Sequence, residues 1–241
     1  MGALPWQGGA MRGGDDVMVE ERLRALAERL HGPRRLKADL LTEARDGLRD
    51  AVEAYQESGL PAVEARRRAV AEFGTPGELA PAYQVELAAG ALRGLSLRVL
   101  AVAVTLVVAG DLTWRGSSWS EGPRPPEGYL LLSASINWIW LTAAVLAAAG
   151  VLLAGRRTTP RAQALDQLLG IGLTGTLAVG LIAGAGLLGW SLGMWEAALT
   201  WPPMLIGTVV IGAGQLWLGR SVTSWVRAAR SLRTDVVHAA G

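Results

Sequence analysis

The chain offers little for covalent or metal chemistry. It has no cysteine, so disulfides, thiolate nucleophiles and cysteine metal ligands are excluded. Its two histidines, His31 and His238, lie near opposite ends of the sequence. A zinc site or a histidine-based triad therefore has little material. No P-loop, dinucleotide fingerprint, metalloprotease helix or nucleophile elbow occurs. The run GIGLTG at 170–175 has the glycines but no strand before it. Asn137 and Gln215 are the polar side chains deepest in apolar stretches, where interhelical hydrogen bonding is their ordinary use. Asp111 and Asp166 fall near the ends of such stretches, and no charge pair inside one marks an ion pathway. The residues point to recognition rather than catalysis, with no cofactor or metal.

Charge divides the chain into two environments. Positions 1–93 carry 15 acidic and 13 basic residues, and positions 94–241 carry 6 and 10. The excess arginine lies beside hydrophobic segments, where it sets membrane topology. It does not form a nucleic-acid surface, so no direct nucleic-acid contact is expected. Only one of the 23 basic residues is a lysine, Lys37. That bias, with abundant Ala and Gly, suggests a GC-rich bacterial genome. Residues 1–16 lack the apolar core of a signal peptide and read as disordered, with Met1, Met11 or Met18 as the start.

The first charged region has helical periodicity. Val19, Leu23, Leu26 and Leu30 recur at steps of four and three, predicting an amphipathic helix over 17–31. Gly32-Pro33 ends it, with Pro33 opening a second helix over 33–57. Leu36, Leu40, Ala44, Leu48, Ala51 and Tyr55 form its apolar stripe. Lys37, Asp39, Glu43, Arg45, Asp46, Arg49, Asp50 and Glu53 form a charged face, either solvated or docking a protein partner. Ser58-Gly59 ends this helix, and Leu60-Pro61 begins a third. Val63, Ala69, Val70 and Phe73 supply the buried side of the third helix. Arg66-Arg67-Arg68 lies on its outer side, as plain surface or against anionic lipid headgroups.

A corner follows. Gly74 can adopt the left-handed conformation that closes a helix. Thr75 can cap the next, with Pro76 at its first helical position. Thr75-x-x-Glu78 is a capping box, and Phe73 before it can staple onto Leu79. Pro81 is expected to kink or restart the helix. The result is an all-α domain of three to four helices over 17–93, with Phe73 and Leu79 in its core.

Gly59-Leu60-Pro61 through Glu64-Ala65, then Ala71 to Ala80, within Val19–Leu87, resemble the HAAS-type signalling domain, also described as permease prefix domain 1. The resemblance implies an intracellular helical module joined to membrane segments and associated with PadR-like transcription regulators or fused to permeases. It implies no catalytic residues. After this region the chain is too short for the full transporter unit of the permease fusions.

About 20 apolar residues cross a hydrocarbon core of about 30 Å. Four stretches qualify, at 95–114, 130–154, 168–190 and 201–219, predicting a four-helix transmembrane bundle over 94–219. Arg93, Arg98, Arg156, Arg157, Arg161, Arg220, Arg227, Arg230 and Arg233 flank one side. Only Arg115 and Arg124 flank the other. The positive-inside rule then places both termini in the cytoplasm of a multi-pass inner-membrane protein. Trp114, Trp119, Trp138, Trp140, Trp190, Trp195 and Trp201 fall toward the outer ends, as an interfacial belt. Alternatively, Asp111, Trp114, Trp138, Trp140, Trp190 and Trp195 line an outer pocket, with Glu121 or Glu196 as further polar groups. Gly180 and Gly184 form a GxxxG pair that serves bundle packing or homo-oligomerisation. The tail at 220–241 reads as a basic amphipathic helix on the membrane surface, or as an extension of the fourth span into contact with the N-terminal domain.

These features predict a non-enzymatic membrane signalling protein whose helical domain binds a cytoplasmic partner such as a PadR-like regulator. The alternative is a small transporter or the membrane subunit of one. A structural membrane scaffold is a third reading.

Overall fold

The computed structural model describes residues 10–114, 126–154, 159–194 and 202–239. The described residues are helical with no strand. They form α1 (Ala10–Arg29), α2 (Arg34–Glu57), α3 (Ala62–Phe73), α4 (Pro76–Trp114), α5 (Glu127–Leu153), α6 (Pro160–Met194) and α7 (Pro202–Ala239). The chain divides into two compact units, Met1–Ala88 with Arg227–Gly241, and Ala89–Val226. Both division points fall inside unbroken helices, α4 and α7.

In the first unit the heptad-like spacing of α1 buries Leu23, Leu26 and Leu30. Leu23 packs with Ala44, Leu48 and Val52 from α2 and with Ala65, Ala69 and Val70 from α3, while Leu26 and Leu30 pack with Ala80 of α4. Burying each leucine stabilises the fold by about 2 kcal/mol relative to leaving it exposed. Ala65 and Ala69, one turn apart, put two small side chains beside Val70 on the inner face of α3. Phe73 and Leu79 are only half-buried, at the rim beside Leu26, Leu30 and Ala80. Leu23, Leu26, Leu30 and Leu48 are buried, while Leu36 and Leu40 of the expected α2 stripe are only half-buried.

Three local expectations are corrected. First, α1 starts at Ala10, inside the stretch expected to be disordered, while residues 1–9 lie outside the described residues. Once packing holds residues 17–29, each further residue adds a hydrogen bond at low cost. Second, Val63 is 50% exposed. It sits two residues before Ala65, about 200° around the helix and so on the opposite face. Third, Pro33 and Pro61 occupy N-cap positions rather than opening their helices. Their carbonyls accept the first helical bonds, from Lys37 N–H (3.0 Å) and Ala65 N–H (2.9 Å).

In the second unit α5 and α6 run antiparallel. Trp190 lies against Gly128, Leu132 against Gly186, Ile139 against Gly180 and Leu146 against Gly172. Large side chains of one helix thus meet glycines of the other, apart from the reversed pair Gly128–Trp190. Such small-residue seams let helices approach closely where no hydrophobic drive separates protein from lipid. Gly150 of α5 takes Ser96 and Leu92 of α4, and a methyl there would strike the Ser96 hydroxyl. That hydroxyl is buried with no hydrogen-bond partner among the described residues. Gly170 of α6 takes the ring of Trp225 of α7, and Gly214 of α7 takes Val102 of α4.

The outer surface of this unit is apolar. Leu131, Ile182, Val209 and Leu216 are each at least 70% exposed. Among the described residues three helices are long and apolar enough to cross a membrane: Pro76–Leu106, Glu127–Leu153 and Arg161–Gly193. A surface this apolar is stable against lipid and unstable against water. The fourth expected stretch, 201–219, lies partly outside the described residues.

Candidate functional site

The corner between α3 and α4 forms as its chemistry dictates. Gly74 has φ +90° with ψ 177°, not the expected left-handed helical closure but an extended positive-φ conformation essentially restricted to glycine, costing about 1–3 kcal/mol for residues with a Cβ. The backbone N–H and hydroxyl of Thr75 both donate to Glu78 Oε2, each at 2.8 Å. The N–H of Glu78 returns a bond to Thr75 Oγ1 at 3.3 Å. These reciprocal bonds satisfy donors that helix starts leave open. Pro76 begins α4, and the helix continues through Pro81 without restarting. The proline lacks only the bond to the Gly77 carbonyl.

The outer face of α2 carries a carboxylate stripe. Asp39, Glu43, Asp46, Asp50, Glu53 and Glu57 alternate steps of four and three, and all are exposed. The stripe extends about 27 Å along the helix. Among the described residues, only Asp46 of these six has a cation within ion-pair distance, Arg49 at 3.4 Å.

One ion pair and one tyrosine–carboxylate hydrogen bond elsewhere fix helix against helix. Arg45 of α2 grips Glu20 of α1 through two bonds, at 2.8 and 2.9 Å. That hydrogen bond holds the Glu20 carboxyl below its ordinary range. Between α2 and α3, the Tyr55 hydroxyl donates to Glu72 Oε2, and Arg68 Nε donates to Glu72 Oε1 at 3.2 Å. Arg68 also lies over the Tyr55 ring, 5.1 Å from its centroid. The tyrosine hydrogen bond, and then Arg68, hold the Glu72 carboxyl low. The one lysine, Lys37, donates to the Leu30 carbonyl at the end of α1, 3.0 Å away.

Gln84 is the polar centre of this unit and was not singled out in the sequence. It is 1% exposed. Its Oε1 accepts from the His31 N–H at 2.9 Å, and its Nε2 donates to the carbonyls of His31 (2.7 Å) and Ala228 (2.9 Å). Gly32 beside it lies so close to Leu87 that a methyl would collide, and Ala228 Cβ is near the same point. The end of α7 therefore belongs to the helical unit, one of the two arrangements open from the sequence. A lone glutamine in the Ala-rich stretch around 80–91 was the available signal.

In the second unit, Tyr129 packs edge-on to Trp190, ring centroids 6.1 Å apart. The Tyr129 hydroxyl is 3.1 Å from Ser191 Oγ. Of the aromatic residues expected around an outer pocket, Trp190 joins this cluster. Trp138 is exposed and Trp140 half-buried, on α5. Trp138 is ten residues beyond Gly128, the neighbour of Trp190, so it lies about 15 Å further along α5. Asp111 and Trp114 are on the last turns of α4, with side chains outside those described; Trp195 lies outside the described residues. Gly180 receives Ile139, 3.2 Å from where its Cβ would stand, while Gly184 has nothing within 4 Å of that position. Among the described residues, no three histidines or carboxylates gather as a metal site.

Comparison with protein-family models, with curated proteins and with solved structures finds no match to this chain.

Proposed function

We propose that the chain is a non-enzymatic integral membrane signalling protein. Its helical unit docks a cytoplasmic protein, and its apolar unit is a four-helix transmembrane bundle. The observation that carries this reading is the division into one unit with a solvated, charged exterior and a second with an apolar exterior. Signalling needs both: a water-facing surface for a partner and a lipid-facing body. The resemblance of Gly59–Ala65 and Ala71–Ala80 to the HAAS-type domain supports a PadR-like regulator as partner. The carboxylate stripe of α2 is the proposed docking face, since it complements a basic protein surface.

Both termini lie in the cytoplasm in this reading, supported by the arginine bias around the spans. The test is co-purification of a tagged regulator with the full chain from detergent. Reversing charge along the stripe, as in Glu43→Lys with Asp50→Lys, should abolish recovery while the fold persists. Recovery unchanged by the reversal would reject the stripe as the docking face. Substrate-dependent flux in proteoliposomes, with no regulator binding, would favour the transporter reading instead.

A further inference from the structure

Arg98 sits on α4 inside an apolar stretch. Its guanidinium carbon lies 5.6 Å from the ring centroid of Trp217 on α7. One of its terminal nitrogens approaches Gly94, 3.5 Å from where a Cβ there would stand. The side chain thus runs back one turn along α4 and rests on an indole. Among the described residues it has no carboxylate within ion-pair distance and no hydrogen-bond acceptor. It is only half-buried, so its donors open outward.

The surroundings are apolar and exposed. Leu97 is 52% exposed, Trp217 47% and Leu216 71%. Arg220 follows Trp217 by three residues, hence on the same side of α7, and is also exposed and without an ion-pair partner among the described residues. The contacts Val102–Gly214 and Arg98–Trp217 set α4 and α7 antiparallel. Arg220 is therefore about level with Gly94, toward which Arg98 reaches.

An arginine amid lipid-facing leucines is costly unless its donors are satisfied. A guanidinium presents a planar fork that matches phosphate oxygens. Stacking on tryptophan fixes that fork and adds a cation–π attraction. We infer that the groove between α4 and α7 at Arg98, Trp217 and Arg220 is a binding site for the phosphate of an anionic glycerophospholipid. The phosphate takes the two guanidinium groups, and an acyl chain lies along Leu97 and Leu216. The site rests on the reading that this unit is embedded in a membrane.

The test is lipid retention by the full-length protein, measured by native mass spectrometry during titration with phosphatidylglycerol or phosphatidylcholine. The wild type should retain phosphatidylglycerol at about tenfold lower concentration, a factor worth about 1.4 kcal/mol. Arg98→Gln and Trp217→Leu should each remove most of that preference. Arg98→Lys should keep part of it, because charge survives while fork and stacking are lost. Arg161→Gln, at the start of α6, should leave it unchanged. Millimolar inorganic phosphate should not compete; full competition would make this a small-anion site and overturn the lipid assignment. Equal retention of both lipids by the wild type, or an undiminished preference in a folded Arg98→Gln, would also overturn it. Alkaline carbonate extraction distinguishes the underlying reading: release of the protein from membranes would reject the embedding itself.

Discussion

The side-chain amide of Gln84 donates to the carbonyl of Ala228 across 2.9 Å, joining positions 144 residues apart in sequence. The same amide group holds the backbone of His31 through both its oxygen and its nitrogen. The final turns of α7 are thereby part of the helical unit. Gln84→Ala would remove the acceptor of the part-buried His31 N–H, which costs about 0.5–1.5 kcal/mol. The thermal midpoint of the purified full chain should fall, and the His31 amide should exchange faster with deuterium. Unchanged protection at His31 would show that the glutamine does not secure this junction.

The corner at Gly74 and Thr75 gives separable effects. Thr75→Ala removes the cap that Glu78 reciprocates and should cost about 1 kcal/mol. Gly74→Ala forces a Cβ into an extended positive-φ conformation and should cost about 1–3 kcal/mol. Glycine at 75 should be tolerated better than alanine, since glycine is an acceptable N-cap. Equilibrium denaturation ranks the three variants. Alanine at 75 matching the wild type would remove the capping box from the account.

Glycines of α6 differ in what they face. Gly170→Val pushes side-chain atoms into the Trp225 ring, and overpacking of this kind costs about 1–3 kcal/mol. Gly175 has nothing within 4 Å of its Cβ position. Gly175→Ala should therefore be neutral or stabilising by up to about 1 kcal/mol through helix propensity. Thermal unfolding in detergent compares the two. Equal destabilisation would mean that the contact of α6 with α7 does not form.

The acid side of the stability profile follows from Glu20 and Glu72. Both folded-state carboxyls are held below the ordinary value of 4.5. A depressed carboxyl contributes stability above its unfolded value and loses it as pH falls through the folded value. The helical unit should thus weaken below about pH 4.5. Glu20→Gln should flatten part of that decline, modestly because the pair is exposed. Denaturation midpoints at a series of pH values check the slope; an identical slope in the variant would exclude the Glu20–Arg45 pair as a contributor.

Local chemistry was readable from the sequence where neighbours in sequence are also neighbours in space. The capping box, the positive φ of Gly74 and the leucine face of α1 depend on residues within a turn or two of each other. Phe73 is half-buried rather than central, because a staple contact fixes proximity to Leu79 but not distance from the core. Gly180 and Gly184 form a sequence pair. In the fold, however, glycines facing α5 are set by the antiparallel register of Leu132, Ile139 and Leu146, which no local pattern encodes. No local pattern marks Gln84, because its partners, His31 and Ala228, come from distant parts of the chain. In sequence Arg98 is one more flanking charge; its stacking on Trp217 depends on how α4 and α7 align.

The central claim is that the helical unit docks a soluble regulator while the chain stays in the membrane. The direct measurement is titration of the full-length protein in nanodiscs with each PadR-like regulator encoded by the same genome, read by interferometry. The account predicts saturable binding of at least one regulator with a dissociation constant of about 10 µM or tighter. It further predicts weakening of about tenfold or more by Glu43→Lys with Asp50→Lys. Absence of binding by every such regulator to a folded, membrane-embedded protein would contradict it.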